Sequence, residues 1–167
     1  SRPKGVCTTH ESWIVAASGY ADLNSFTSAD KLLCYLPPGW AGDFLWSIAL
    51  WLVTGCTINC PESLATVPID MRDIGPTLFL GSPHSYEKLA TQIHVRIEDA
   101  SWMKRQLYNH FIKFARGLGD AILTGRHVGI SNRLIYGLGN LLVYAPLKNT
   151  MGISDIRVAY SGGAAFS

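Results

Sequence analysis

Apolar residues recur along this chain in two textures. In the first half they come in short blocks separated by turn residues. Residues 8–24, TTHESWIVAASGYADLN, place Trp13, Ala16, Ala17 and Tyr20 at helical spacing behind a polar start. DKLLCYLPP (30–38) is a continuous apolar run stopped by two prolines, which predicts a buried strand. GWAGDFLWSIALWLVTG (39–55) predicts a helix buried nearly all round, with Asp43 as its N-cap and Gly55 as its C′ residue. Its apolar stretch of roughly ten residues is short of the ~18 that a membrane span needs. CTINCPE (56–62) is the next strand candidate. A helix follows Ser63, with Pro68 tolerable in its first turn and Gly75-Pro76 as its stop. TLFLGSP (77–83) is a third short apolar run. Strands and helices alternating at this spacing predict an α/β fold: a parallel β-sheet with crossover helices, doubly wound in style.

The second texture begins near Tyr86. Leu89, Ile93, Ile97, Ala100, Met103, Leu107, Phe111, Phe114 and Leu118 step by threes and fours, one long amphipathic helix or two with a break near Asp99-Ala100-Ser101. The opposite face carries Lys88, Arg96, Lys104, Arg105, Lys113 and Arg116, in the simplest reading a solvated face. A glycine-spotted stretch (Gly117, Gly119, Gly125, Gly129) and a helix around Asn132 to Tyr144 come next. DIRVAYSGGAAFS closes the chain as a strand running into a glycine turn. The expected organisation is therefore βα repeats over 1–85, a mostly helical insertion over 86–154, and a strand with a Gly-Gly turn over 155–167.

Composition sharpens this picture in two places. Hydrophobic residues make up 48% of the 167 residues and charged residues only 16%, well below the ~25% usual for a soluble domain. Some of the surface is thus expected to be covered by further chain, a partner or an apolar ligand. A net charge of +2 with no long basic run argues against nucleic acid as a partner. No apolar segment of a secretory signal follows the polar start, and Cys7, Cys34, Cys56 and Cys60 lack the spacing of a zinc site. They read as reduced core thiols of a cytoplasmic protein. His10, His84, His94, His110 and His127 show no metal-ligand spacing.

Three loops lie where parallel strands would end, the side on which open α/β sheets bind ligands. The first holds Lys4, a lone lysine before glycine that says little about phosphate by itself. The second is LPPGWAGDF (36–44): Gly39 and Gly42 leave room, and Trp40 and Phe44 offer flat apolar faces one helical turn apart, unless they simply pack a strand–helix turn. The third is YSGGAAF (160–166), where two adjacent glycines would let a planar ligand lie on bare backbone, a tight turn being the plainer alternative. Ser161 has no evident His/Asp partners, which excludes a hydrolase triad.

Taken in order, these pieces resemble the adenylate-forming superfamily, and within it the long-chain fatty acyl-CoA synthetases. RPKGVCTTH is similar to the closing half of that family's T-S-G-T-T-G-x-P-K-G loop. YLPPGWAGDFLWSIALWLVTGCTINCP resembles the strand–turn–helix that follows, MRDIGPTLFLGSPHSYEKL the Arg-x-x-x-Pro-Thr strand and its Pro–aromatic–Glu sequel, and RVAYSGGAAFS the Ser-Gly-Gly-Ala motif. The resemblance spans essentially the whole chain, and the long helical insertion before RVAYSGGAA is typical of the long-chain branch. It implies a two-step ligase: a carboxylic acid and ATP give an acyl-adenylate with Mg²⁺ neutralising phosphate charge, and coenzyme A then displaces AMP. By position it places Lys4 in the phosphate loop, and Ser161, Gly162, Gly163 and Ala164 against the nucleotide. Trp40, Phe44, Gly163 and Ala165 would line the acyl pocket. Trp40 stands where many members have a histidine, so the resemblance leaves fatty and aryl acids both open.

The family's Tyr-Gly-x-Thr-Glu segment, ribose-binding aspartate, hinge and catalytic lysine have no counterpart in these residues. The expectation is an internal piece of a ligase, with no catalytic residue of its own, inactive alone and prone to self-associate through an edge strand or the apolar helix around Trp46. The alternatives are a standalone module that binds nucleotide or lipid without chemistry, and a membrane-surface adaptor using the basic face of residues 87–118.

Overall fold

The computed structural model describes residues 5–125 and 127–162. They fall into two compact units, one made of the described residues up to 83 together with those from 155 onward, the other of those between 84 and 154.

The first unit is built on four parallel strands: β1 (Lys31–Leu33), β2 (Thr57–Asn59), β3 (Leu78–Gly81) and β4 (Val158–Ser161), in the order β2-β1-β3-β4. Its helices are α1 (His10–Asn24), α2 (Ala41–Phe44), α3 (Leu50–Thr54) and α4 (Val67–Ile74), with a π-helical stretch over Leu45–Ala49 joining α2 to α3. The predicted α/β architecture is thus present, with each expected strand in place. Thr9 caps α1 by accepting the Ser12 N–H at 3.1 Å. Pro68 sits in the first turn of α4, where its missing N–H is harmless. Gly55 and Gly75 end α3 and α4 in left-handed conformations, at φ 70° and 58°.

The core gathers Ala21 and Phe26 from α1 and its exit, Leu32 and Leu78 from neighbouring strands, and Trp46 and Leu50 from the helix after β1. Tyr160 of β4 packs against Trp46 with ring centroids 5.1 Å apart, and Tyr20 of α1 meets the same tryptophan at 5.9 Å.

Several expectations are corrected. Asp43 is no N-cap: α2 begins at Ala41 with Trp40 in the capping position, and Asp43 lies within the first turn with its side chain buried. The α2–α3 segment is not enclosed on all sides, since Ile48, Trp51 and Leu52 are exposed on the face opposite Trp46 and Leu50. Trp46 itself is 6% exposed and faces the core, so the outer face of the helix around it is carried by Ile48, Trp51 and Leu52. Of the thiols, Cys56 is buried and Cys34 half-buried, whereas Cys7 and Cys60 are exposed. Burying apolar strands on both faces takes precedence over hiding a helix whose outer side meets nothing in this unit.

The second unit is helical: α5 (Pro83–Glu98, its first residue closing the other unit), α6 (Trp102–Leu123), α7 (Ile130–Gly139), a π-helical stretch (Asn140–Tyr144) and α8 (Ala145–Met151). The break between α5 and α6 falls at the predicted Asp99–Ser101, held by the Arg105 guanidinium donating to the Glu98 carbonyl at 2.6 Å. Gly117 and Gly119 stay inside α6 instead of opening a loop, because the apolar period of that helix runs on past them. Phe111, Val143 and Tyr144 form a small core, where the Tyr144 hydroxyl donates to the Phe111 carbonyl at 2.6 Å.

Candidate functional site

The strand order places a switch in direction between β1 and β3: the chain leaves β1 toward β2 and returns across it to β3. Loops leaving adjacent strands on opposite sides open a crevice at their carboxyl ends, and there the LPPGW loop departs. Tyr35 spans this position. Its ring stacks on Phe79 at a centroid distance of 5.9 Å and an interplanar angle of 15°, and its hydroxyl donates to the Leu80 carbonyl at 3.1 Å. The crevice floor is therefore tied across β1 and β3 by one side chain, a feature that no local motif singles out.

Trp40 and Gly162 come together at the same end of the sheet. A Cβ built on Gly162 would lie 3.9 Å from Trp40 Cζ2, with no closer neighbour among the described residues. The second and third candidate loops, more than a hundred residues apart in sequence, thus converge. The Trp40 indole lies back over the start of α2, where a Cβ on Gly42 would meet its ring at 3.0 Å. Gly42 is needed for that approach. Gly162 is different: no described residue would crowd a side chain there, and it is not among the described glycines with positive φ. Ser161 ends β4 with an exposed side chain.

Phe44 does not stand free beside Trp40. Its ring packs on Trp13 of α1, with centroids 4.8 Å apart and an angle of 56°. Lys4, Gly163, Ala164 and Ala165 lie outside the described residues.

Two buried groups beside this loop were not read as site features. Burial pushes the Asp43 carboxyl up, opposed only weakly by the Ser47 hydroxyl, which lies 3.5 Å from Asp43 Oδ2 while donating to the Asp43 backbone carbonyl at 2.6 Å. Burial, with lesser contributions from Cys60, Asp43 and Cys56, pushes the Cys34 thiol up to about 12. The wall of the crevice is consequently uncharged at Cys34 and poorly hydrated at Asp43. The signal for Asp43 was available: an acidic residue within an otherwise apolar helix start.

The opposite end of the sheet is where charge concentrates. Asp30, Thr77 and Arg157 stand immediately before β1, β3 and β4. Arg157 grips Asp30 with two guanidinium nitrogens, Nε at 2.8 Å and Nη2 at 2.5 Å, and the Thr77 hydroxyl donates to the same carboxylate at 2.7 Å. Arg157 also donates to the Asn24 and Ser25 carbonyls and lies 5.2 Å from the Phe26 ring centroid. Burial would raise the Asp30 carboxyl, but the Arg157, Thr27 and Thr77 hydrogen bonds outweigh it and hold the group at about 2. The Asp30 carboxylate and the Arg157 guanidinium are engaged with protein groups, which makes this a structural clamp and leaves the carboxyl end of the sheet as the candidate site.

Among the described residues no group of three His, Cys, Asp or Glu side chains is placed to hold a metal ion. No helix among them is long and apolar enough to cross a membrane.

Comparison with known proteins places the chain in a family. Residues 1–167 match the family described as AMP-binding enzyme. The chain is 26% identical over 173 residues to a long-chain-fatty-acid–CoA ligase of Xenopus laevis, covering 98% of this chain and 23% of that protein. It is 23% identical over 167 residues to fatty acyl-CoA synthetase B of Dictyostelium discoideum, covering 99% and 23%. It is 24% identical over 168 residues to long chain acyl-CoA synthetase 3 of Arabidopsis thaliana, covering 97% and 24%. The chain spans about a quarter of the length of the curated relatives it matches. No solved structure matches it. With an unbroken match from Ser1 to Ser167 and a parallel sheet whose carboxyl-end loops converge on Trp40 and Gly162, the chain belongs to the AMP-binding enzyme family.

Proposed function

We propose that this chain supplies the acyl- and adenine-facing loops of an ATP-dependent long-chain fatty acid–CoA ligase. In that reaction an oxygen of the fatty carboxylate attacks the α-phosphorus of ATP and pyrophosphate leaves. The coenzyme A thiol, losing its proton, then attacks the acyl carbonyl and AMP leaves.

The observation that carries the reading is the convergence of Trp40 on Gly162. Among the described residues a Cβ on Gly162 would meet only the Trp40 indole, at 3.9 Å. A planar base or acyl-adenylate would lie on the bare backbone there, and Gly163, Ala164 and Ala165 would extend the surface. Trp40 then borders the acyl group, and Phe44, braced by Trp13, keeps the entrance apolar without swinging into it. Tyr35 holds the crevice floor and touches no reacting atom in this scheme. Lys4 would face the phosphates. Mg²⁺ would neutralise phosphate charge when bound; among the described residues no group of three His, Cys, Asp or Glu side chains is placed to hold it.

Peripheral contact with a bilayer, on the cytoplasmic side, belongs to the same reading, because long-chain acids partition into membranes. The exposed Trp51 and Leu52 of α3 are where further chain or a second copy would sit.

Acid-dependent ATP–pyrophosphate exchange tests the proposal, run with the 167-residue chain and with a ligase of the relatives' length that contains it. Exchange driven by long-chain acids in the long form, and none by the short chain, is expected. Trp40→Ala in the long form should lower kcat/KM for the acid by about tenfold or more, with the KM for ATP little changed, since one large apolar wall is lost. Exchange confined to aryl acids, or turnover by the short chain, overturns it. Aryl acids are the second reading, favoured by the tryptophan at position 40 where many family members carry histidine.

A further inference from the structure

The helical unit presents an apolar stripe on the wrong side. Ile130, Leu134, Leu138 and Leu141 follow the spacing of one helix face and are exposed by 79%, 71%, 52% and 71%. The opposite face of the same segment is the one that packs: Gly139 and Val143 are buried, and Tyr144 is bonded to Phe111 of α6. Segment 130–144 is therefore apolar on two sides, and its own unit uses one of them.

Charge around the stripe says what fits it. Residues 84–154 carry nine Lys and Arg against four Asp and Glu, a net of +5, while the rest of the chain carries five against eight, a net of −3. The modest overall charge hides this segregation. No acidic residue occurs between Asp120 and Asp155, and exposed Arg133 flanks the stripe directly before Leu134. A helix with exposed leucines, basic flanks and no acidic residue is built to lie in the plane of an anionic lipid interface. It has far too short an apolar run to cross one.

We infer that α7 and the π-helical turn after it dock this unit on an anionic bilayer surface, with Ile130, Leu134, Leu138 and Leu141 entering the acyl boundary and Arg133 at the headgroups. This face is distinct from the basic side of residues 87–118, which the sequence offered only as an alternative membrane surface, and lies on the segment read simply as a helix around Asn132 to Tyr144. The inference rests on the bilayer contact of the proposed function, but its failure is distinguishable from failure of the ligase chemistry, because vesicle binding and pyrophosphate exchange are read separately.

Co-sedimentation of the full chain with phosphatidylcholine–phosphatidylserine vesicles, against pure phosphatidylcholine vesicles, tests it. Binding to the anionic vesicles that weakens with added salt is expected. The Leu134→Ser/Leu138→Ser double variant should lose about tenfold or more in partitioning, and Arg133→Gln about threefold to fivefold. Both sites are exposed, so the variants should keep the parent's circular dichroism and melting temperature. Absence of vesicle binding overturns the inference, as does binding that is equal on both vesicle types or untouched by the double variant. Self-association of the parent chain that the double variant abolishes, without vesicle binding, would show the stripe to be a protein interface and overturn it as well.

Discussion

Asp30 is the residue on which most of the strand-start architecture turns. It is 4% exposed, accepts from Arg157, Thr77 and the Thr27 N–H, and ties residues 127 positions apart. Asp30→Asn should destabilise the sheet unit by about 2–3 kcal/mol, since it removes a buried charge pair and unsettles several donors. The sign of the pH dependence follows from a folded-state value of about 2 against an ordinary 3.8. Stability from this group is complete above about pH 4 and is lost as pH falls toward 2, because protons then bind the unfolded chain more readily than the folded one. Melting temperatures measured across that window should fall less steeply for Asp30→Asn than for the parent. A parallel fall in both would disprove the clamp.

At the scale of elements, two glycines of α7 make opposite forecasts. A Cβ on Gly139 would meet Phe111 Cδ1 at 2.7 Å and the Tyr144 hydroxyl at 3.0 Å, inside the small helical core. Gly139→Ala should therefore cost about 1–3 kcal/mol through overpacking, against less than ~1 kcal/mol regained in helix propensity. Gly137 has nothing within 4 Å and is exposed, so Gly137→Ala should stabilise by up to about 1 kcal/mol. Thermal melts of the two variants moving in opposite directions would establish which glycine the α6–α7 packing needs. The same contrast explains the glycine-spotted stretch: Gly117 and Gly119 meet no neighbour, so they weaken α6 without ending it.

Across the whole molecule, the thiols report how completely the sheet unit closes. Cys7 and Cys60 are exposed, Cys56 is buried, and the Cys34 thiol, pushed up to about 12 by burial, carries almost no thiolate at neutral pH. Under native conditions an alkylating reagent should label Cys7 and Cys60 first, and reach Cys34 and Cys56 only as the unit unfolds. Mass mapping of labelled peptides over time checks this; early labelling of Cys34 would mean the crevice wall is open.

The strands, their parallel order class, the helix ends at Gly55 and Gly75 and the α5–α6 break were all legible from local pattern, because each is set by residues within a few positions of one another. Family membership was legible too, from the order of short motifs. Three things were decided by tertiary structure alone. One is that Trp40 faces Gly162, since which strand-end loops meet depends on strand order. Another is the Asp30–Thr77–Arg157 clamp, whose members have no local signature and become neighbours when three strands start side by side. The last is which side of an apolar helix is used: period shows that 39–55 and 130–144 have apolar faces, but burial depends on what packs there. Local chemistry writes the elements, and the sheet order and the partners of each face write the site.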